Sequence, residues 1–134
     1  MRVFLDANIL FTAAVSSDGK SAYLLKNARK AGIALVTCTL ALEEADRNLR
    51  AKYPAKSARL RILLARVEIM PTVISGNCTI RLPDKDIPIF LSALAAGATH
   101  LLTGDFKDFG PFMNKPGRTG GMIIQSVGEF LRSL

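Results

Sequence analysis

Short apolar runs alternate with segments of helical periodicity along the whole chain, without an internal repeat or a low-complexity stretch. Runs of about four to eight apolar residues are typical of buried strands, whereas apolar residues spaced three and four apart predict helices that pack on one face. The pattern predicts strands at residues 2–5, 34–38, 67–70, 99–103 and 122–124. It predicts helices at residues 8–15, 21–31, 40–52, 54–66 and 88–96, and a last helix that begins near residue 126.

The ends of several predicted helices carry recognisable signals. Gly32 ends the second helix, Pro88 suits the first turn of the fifth, and Gly97 ends it. Ser126 and Glu129 have the spacing of a capping box, which predicts a helix from there to the C-terminus. Strands separated by helices pair in parallel, so the chain predicts an α/β fold. We expect a three-layer α/β/α sandwich with a central parallel sheet of about five strands, formed by one domain over residues 1–134.

Composition adds information on partners rather than on the fold. Hydrophobic residues make up 49% of the chain, which indicates a packed core, and 18 basic against 11 acidic residues give a net charge of +7. An excess of positive charge favours a polyanionic partner such as nucleic acid. Two cysteines and one histidine without a C-x-x-C motif exclude a zinc-finger or disulfide framework. The uncharged stretch at residues 87–102 contains Pro88 and is too short for a bilayer, so we expect a cytoplasmic protein without a membrane partner.

Acidic side chains follow the predicted strands at their carboxyl ends. Asp6 follows the first strand and Asp105 the fourth, Asp86 begins the helix before the fourth strand, and Glu43 and Glu44 lie in the helix after the second. Ligands of parallel sheets bind beyond these strand ends, where facing carboxylates repel unless a cation lies among them. Oxygen ligands suit Mg²⁺ or Mn²⁺. The sequence therefore predicts a divalent-metal site, although Asp86 alone could be a helix-terminus residue and Asp105 alone a turn residue.

Helix geometry distinguishes the two adjacent glutamates. Glu43 stands four residues before Arg47, in the favourable orientation for a surface ion pair. Glu44 shares a helix face with Ala41 and Asn48, beside the core stripe. We therefore predict that Glu44, rather than Glu43, turns toward the site.

Five segments, in order along the chain, resemble the motifs of the PIN-domain family, most closely its bacterial and archaeal toxin branch. Residues 4–10 (FLDANIL) resemble its D-x-N opening, and residues 42–49 (LEEADRNL) resemble its E-x-x-x-x-L helix. Residues 86–94 (DIPIFLSAL) resemble the third acidic block, and residues 100–109 (HLLTGDFKDF) are similar to the fourth, with T-x-D before a D-F pair. Residues 124–131 (IQSVGEFL) resemble the closing segment. Each motif is weak alone, but five in this order cover essentially the whole chain.

The resemblance implies a PIN-like fold and metal-dependent cleavage of single-stranded RNA. The family's catalytic and metal-binding acids, which take Mg²⁺ or Mn²⁺, match Asp6, Glu44, Asp86 and Asp105. Its supporting polar positions match Asn8 and Thr103, and a frequent fifth acid matches Asp108. The sequence departs from the family pattern at Val127, where proline is usual, and at Lys85, where some relatives place a second acid. A lysine at this position could weaken metal binding or help hold a phosphate.

The resemblance also implies partners and leaves alternatives open. We expect single-stranded RNA as substrate, a cognate antitoxin protein if the chain is a toxin, and a homodimer. His100 begins the fourth strand at the end remote from the acids, so we expect it to be structural. One alternative is a non-catalytic PIN-fold module that binds RNA or protein; another is a flavodoxin-like or receiver-type domain, which the Glu44 block does not suit. Six basic residues are candidates for contacts with the RNA backbone: Lys20, Arg47, Arg50, Lys107, Lys115 and Arg118.

Overall fold

A five-stranded parallel sheet runs through the centre of the protein, in a computed structural model that describes all residues 1–134. The strands lie in the order β3-β2-β1-β4-β5, and every neighbouring pair is parallel. Strand β1 occupies the middle of the sheet, between β2 and β4, which agrees with the complete burial of Val3, Phe4 and Leu5. The strands are β1 (Arg2–Leu5), β2 (Ala34–Cys38), β3 (Val67–Met70), β4 (His100–Leu102) and β5 (Ile123–Gln125).

Helices cover both faces of this sheet. The crossovers from β1 to β2 and from β2 to β3 run in one direction across the sheet, and the crossover from β3 to β4 runs back. Because such crossovers are right-handed, α1–α4 lie on one face and α5 on the other; α6 packs against α2. None of the helices is long and apolar enough to span a membrane. The helices are α1 (Ala7–Val15), α2 (Lys20–Asn27), α3 (Thr39–Lys52), α4 (Ser57–Leu64), α5 (Ile87–Ala95) and α6 (Val127–Arg132), with 3₁₀ turns at Pro54–Lys56, Gly110–Phe112 and Pro116–Arg118.

The predicted α/β fold is confirmed, and the predicted elements differ from the structure at some of their ends and in the division of one helix. The helix predicted at 21–31 is regular only to Asn27, and its last turn closes on Gly32, whose φ of 75° permits the Ile33 N–H to bond the Ala28 carbonyl at 2.8 Å. The helix predicted at 54–66 is wrong as one element. It divides into the 3₁₀ turn Pro54–Lys56 and α4; the Ser57 N–H makes the i→i+3 bond to the Pro54 carbonyl that closes the turn, and the Ser57 hydroxyl donates to the same carbonyl at 2.9 Å. The capping box of Ser126 and Glu129 forms as predicted.

The strand order places a crevice between β1 and β4. The chain leaves β1 toward β2 on one side, and it leaves β4 toward β5 on the other. The loops that follow β1 and β4 therefore diverge, and the space beyond their carboxyl ends is where open α/β sheets bind ligands. Asp6 and Thr103 are the residues that directly follow these two strands.

Candidate active site

Asp6 lies at the bottom of this crevice, held between β4 and the start of α1. It is 5% exposed. Its Oδ1 accepts a hydrogen bond from the Ala7 N–H at 2.7 Å, and its Oδ2 accepts one from the Thr103 hydroxyl at 2.8 Å. The Asp6 N–H bonds the Leu102 carbonyl at 3.0 Å, which continues the pairing of the two strands. The carboxylate is therefore fixed in position, although it is shielded from most of the solvent.

Thr103 and Asn8 hold the loop after β4 against α1. The Thr103 hydroxyl, itself donating to Asp6, accepts from the Asp105 N–H at 3.0 Å and lies 3.4 Å from the Asn8 amide nitrogen. The Asn8 amide oxygen accepts from the Gly104 N–H at 2.7 Å. Both side chains thus position the backbone that carries Asp105. Their place in the structure is that of supporting groups beside the acids.

Asp86, Asp105 and Asp108 form a carboxylate cluster above this network. One carboxylate oxygen from each residue lies within 4.8 Å of the other two. Asp105 Oδ1 accepts from the Asp108 N–H at 3.1 Å, which closes the turn between them. Asp86 lies at the N-cap position of α5 without a side-chain capping hydrogen bond; it is 6% exposed, and its Oδ2 is buried without any hydrogen-bond partner. A buried, unpartnered carboxylate oxygen is costly unless a ligand satisfies it.

Lys85 supplies positive charge at the edge of the cluster. Its ammonium lies 3.3 Å from Asp108 Oδ2 and 3.9 Å from Asp105 Oδ2, while its side chain remains 69% exposed. The hydrogen bond to Asp108 and the nearby charge of Asp86 raise the pKa of Lys85, so it stays protonated. The lysine that departs from the family pattern therefore acts as an internal counter-ion.

Burial and mutual repulsion perturb the two most shielded acids. Burial raises the pKa of Asp6 to about 6, against the opposing effect of the hydrogen bonds from Thr103 and Ala7, and the Glu44 and Asp105 charges raise it further. Burial raises the pKa of Asp86 to about 7; a hydrogen bond shared with the Asp108 carboxyl and the charge of Asp105 raise it further, and the charge of Lys85 opposes the rise. Both carboxyls thus carry an energetic cost when ionised near neutral pH, and a bound cation would relieve that cost.

All four acids of the predicted quartet line one open cavity of about 290 Å³. Asp6, Glu44 and Asp86 also line an adjacent cavity of about 250 Å³. Glu44 reaches both from α3, and Asp108 lies just behind Asp105. The structure therefore brings the predicted quartet together, and the unpartnered Asp86 oxygen and the all-oxygen donor set fit a hard divalent cation such as Mg²⁺ or Mn²⁺.

On α3, the structure bears on two predictions: which of the two glutamates faces the site, and which surface ion pair forms. Glu44, not Glu43, lines the cavities. The predicted ion pair between Glu43 and Arg47 is wrong, because Arg47 instead lines the second cavity beside Glu44 and Asp86. An ion pair with the same spacing does form three residues further along α3, where Arg50 contacts Asp46 at 3.0 Å.

Of the six basic residues proposed to contact RNA, only Arg47 lines a cavity with the acids. Lys20 lies beside Gly128 of α6, and Arg118 lies 5.3 Å from the centre of the Phe112 ring. Lys107 and Lys115 are exposed. His100 packs edge-on against Phe130 with ring centres 4.9 Å apart, away from the acids, which agrees with the structural role predicted for it.

Five residues of the larger cavity were not among the predicted site residues: Ala7, Phe11, Asn48, Lys52 and Lys85. Asn48 and Lys52 extend the wall that Glu44 begins on α3, and Phe11 of α1 faces them. The spacing of 44, 48 and 52 places these side chains on one helix face, so the two α3 residues could have been found from Glu44. Phe11 carried no such signal, because its contact with α3 is made only by folding.

Solved structures with the same fold include components of VapBC systems. VapBC2 from Rickettsia felis, solved bound to a DNA fragment from its promoter, superposes with a TM-score of 0.66 and 20% identity over 94% of this chain and 98% of that chain. VapBC-1 from nontypeable Haemophilus influenzae superposes with a TM-score of 0.55 and 18% sequence identity, over 96% of this chain and 99% of that chain. A third structure is VapC20 from Mycobacterium tuberculosis, a toxin that cleaves the sarcin–ricin loop. It superposes with a TM-score of 0.52 and 13% sequence identity, over 78% of this chain and 92% of that chain. At these identities the likeness establishes the fold.

Sequence comparison establishes the family. No curated protein sequence matched the chain. The model of the PIN domain, however, matches residues 2–107, which include all four acids of the quartet. Together with the parallel sheet and the site at the ends of β1 and β4, this match shows that the chain belongs to the PIN-domain family.

Proposed function

We propose that this protein is an endoribonuclease that hydrolyses phosphodiester bonds of single-stranded RNA with the help of Mg²⁺ or Mn²⁺. The observation that carries the proposal is the buried Asp86 carboxylate: its Oδ2 has no hydrogen-bond partner, and one of its oxygens lies within 4.8 Å of carboxylate oxygens of Asp105 and Asp108. A site of this kind is poorly satisfied without a cation. Membership of the PIN-domain family and the net charge of +7 support a nucleic-acid substrate.

The predicted site residues and the two basic residues beside them have the following proposed roles. Asp6, Glu44, Asp86 and Asp105 would hold the ion, which when bound lowers the pKa of a water and neutralises charge that develops on the phosphate. Thr103 and Asn8 keep Asp6 and the Asp105 loop in place through their hydrogen bonds. Asp108 restrains Lys85 at 3.3 Å, which leaves the quartet less neutralised by that lysine. Positive charge on the cavity walls, from Lys85 and Arg47, would attract the RNA backbone.

We further propose that the protein is the toxin of a toxin–antitoxin pair and acts in the cytoplasm. Two of the structures with this fold are VapBC complexes, and a third is an RNA-loop-cleaving toxin. A cognate antitoxin is therefore the protein partner we propose. A homodimer is supported by large apolar side chains that remain exposed: Ile62, Ile69 and Ile74. Size-exclusion chromatography with light scattering distinguishes a monomer of 14.5 kDa from a dimer.

One observation favours a second candidate, a PIN-fold module that binds RNA or protein without cleaving it. The Lys85 ammonium already neutralises part of the carboxylate cluster, 3.3 Å from Asp108 and 3.9 Å from Asp105. A cluster satisfied by its own lysine would have less need of a metal ion. The two candidates therefore differ in metal binding as well as in catalysis.

Incubation of the purified protein with a mixed-sequence single-stranded RNA tests the nuclease. We expect cleavage with Mg²⁺ or Mn²⁺, none in excess chelator, and at least 100-fold slower cleavage by Asp86→Asn, on the order of the loss when an essential catalytic group is removed. Asp84→Asn is the matched control, because it removes the same charge from an exposed side chain nearby. Undiminished cleavage in chelator contradicts the metal mechanism, and RNA binding without cleavage favours the second candidate.

A further inference from the structure

One wall of the larger cavity carries none of the acids. It is formed by Phe11 of α1 and by Asn48 and Lys52 of α3. Tyr53, which follows α3, supports the Phe11 ring, with ring centres 6.0 Å apart and planes tilted by 54°. The cavity thus has two chemically different parts, a carboxylate part and an aromatic and amide part.

The aromatic part extends outward from the acids in a regular way. Glu44, Asn48 and Lys52 are spaced four residues apart on one face of α3, so each step rises about 6 Å along the helix. On α1, Phe11 lies one turn beyond Asn8, which borders the acids. A chain bound with one phosphate at the acids would pass along this wall.

The polar side chains of the wall make no hydrogen bond or ion pair within the protein, and the one contact that a ligand must displace is that of Lys52 with the Phe11 ring. Asn48 makes no side-chain hydrogen bond with any of the 134 residues, although its amide faces the cavity. Lys52 has no carboxylate partner, and its ammonium lies 5.7 Å from the centre of the Phe11 ring. Phe11 is half-buried and packs against the core, so its ring is held in place.

We infer that this wall is a nucleobase subsite for the nucleotide next to the scissile phosphate of single-stranded RNA. The inference rests on the proposed function, since it assigns base recognition to the same cavity. A base stacks on the Phe11 ring, as unpaired bases do on protein aromatics. The Asn48 amide, which offers a donor beside an acceptor, bonds the edge of that base. Lys52 leaves the ring when the base enters and pairs with the neighbouring phosphate, which its long exposed side chain permits.

The subsite makes a binding prediction that does not depend on cleavage. Fluorescence anisotropy with 5′-labelled hexamers of U, A, C and G, in chelator, measures affinity while any metal-dependent cleavage is prevented. Phe11→Leu keeps an apolar side chain but removes the stacking surface, and we expect it to weaken binding about 10-fold, within the range for loss of one stacked base. Asn48→Ala should reduce the differences in affinity between the four hexamers. Lys52→Gln should weaken all four alike and lower the dependence of log affinity on log salt by about one.

Matched controls lie elsewhere on the surface. Tyr23→Leu removes an exposed ring from α2, and Lys30→Gln removes an exposed charge after α2. We expect Tyr23→Leu to bind the hexamers as the wild type does, and Lys30→Gln to have a smaller effect than Lys52→Gln. Melting curves check that Phe11→Leu is folded, and Asn48→Ala, which removes a side chain without protein hydrogen bonds, supplies an independent test of the subsite.

The outcomes separate this inference from the nuclease. If the wild type cleaves RNA but Phe11→Leu and Asn48→Ala bind all four hexamers as the wild type does, the subsite is wrong and the nuclease stands. If both variants change binding as expected but the wild type cleaves no RNA with Mg²⁺ or Mn²⁺, the subsite stands and the nuclease is wrong. A wild type that binds none of the hexamers overturns the subsite.

Discussion

Asp6→Asn should stabilise the metal-free protein, because it removes a charge that folding buries among other negative charges. Burial and the neighbouring acids raise the pKa of Asp6 from 3.8 to about 6. A carboxyl with a raised pKa in the folded state opposes folding wherever it must ionise. The cost is absent below about pH 4, grows between pH 4 and 6, and is complete at pH 7. A shift of about two units corresponds to about 3 kcal/mol at pH 7.

Asparagine does not recover this whole amount. Its amide oxygen can keep the hydrogen bond from the Ala7 N–H, but its NH₂ group faces the Thr103 hydroxyl, which now donates to Asp6 Oδ2. A hydrogen bond of this kind contributes about 1 kcal/mol. The expected net gain is therefore about 2 kcal/mol, or about 7 °C in Tm for a chain of this length.

Thermal melts at pH 7 in chelator measure this gain. Asp18→Asn serves as the control, because it removes the same charge from an exposed turn and should change stability by less than about 0.5 kcal/mol. Added Mg²⁺ or Mn²⁺ should raise the Tm of the wild type through binding to the folded state, and that of Asp6→Asn much less. At pH 4 the advantage of the variant should disappear. A variant that melts below the wild type at pH 7, with an equal response to metal, would refute the argument from buried repulsion.

Three further predictions concern neighbouring residues. Glu44→Gln should abolish RNA cleavage, whereas Glu43→Gln should leave cleavage intact and change the free energy of unfolding by a few tenths of a kcal/mol. If Glu43→Gln abolished cleavage and Glu44→Gln did not, the orientation of α3 about its axis would be wrong. Because the pKa of Asp86 is raised to about 7, protons should compete with the metal ion for this carboxylate. Calorimetric titration should therefore give weaker Mn²⁺ binding at pH 6 than at pH 8. Equal affinities at the two pH values would contradict the role of Asp86 as a metal ligand. Lys85→Gln should bind Mn²⁺ up to about fivefold more tightly than the wild type, which is the upper range for loss of an exposed charge pair. Lys56→Gln is the control and should bind Mn²⁺ as the wild type does. Unchanged affinity in Lys85→Gln would show that Lys85 does not compete with the metal.

The strands and the first acids were predictable from local pattern. Asp6 follows an uninterrupted apolar run, and such a residue in a parallel sheet must lie at the carboxyl edge. The alternation of elements was enough to predict an α/β sheet. It did not predict the order β3-β2-β1-β4-β5, because periodicity shows which face of a strand is buried and not which strands are neighbours. The break at Ser57 was likewise missed, because a local hydrogen bond to Pro54 competes with the regular helix.

The electrostatics of the site depend on contacts that only folding creates. The sequence marked Lys85 as a departure from the family pattern, but not its contact with Asp108, which is 23 positions away. The unpartnered oxygen of Asp86 also required the structure, because its burial results from packing rather than from its neighbours in sequence. The contact of Lys52 with Phe11 was also not predictable, because it joins α3 and α1, and the spacing of residues along the chain does not show which helices touch.

Parallel titrations with Mn²⁺ test the central claim, that the acid cluster binds the metal ion on which RNA cleavage depends. Electron paramagnetic resonance of free Mn²⁺ gives the bound fraction, and the rate of cleavage of a labelled RNA is measured over the same concentrations. Binding and cleavage should rise together in the wild type, and both should be lost in Asp86→Asn but retained in Asp84→Asn. Mn²⁺ binding that Asp86→Asn leaves unchanged, or cleavage that proceeds without bound metal, would contradict the claim.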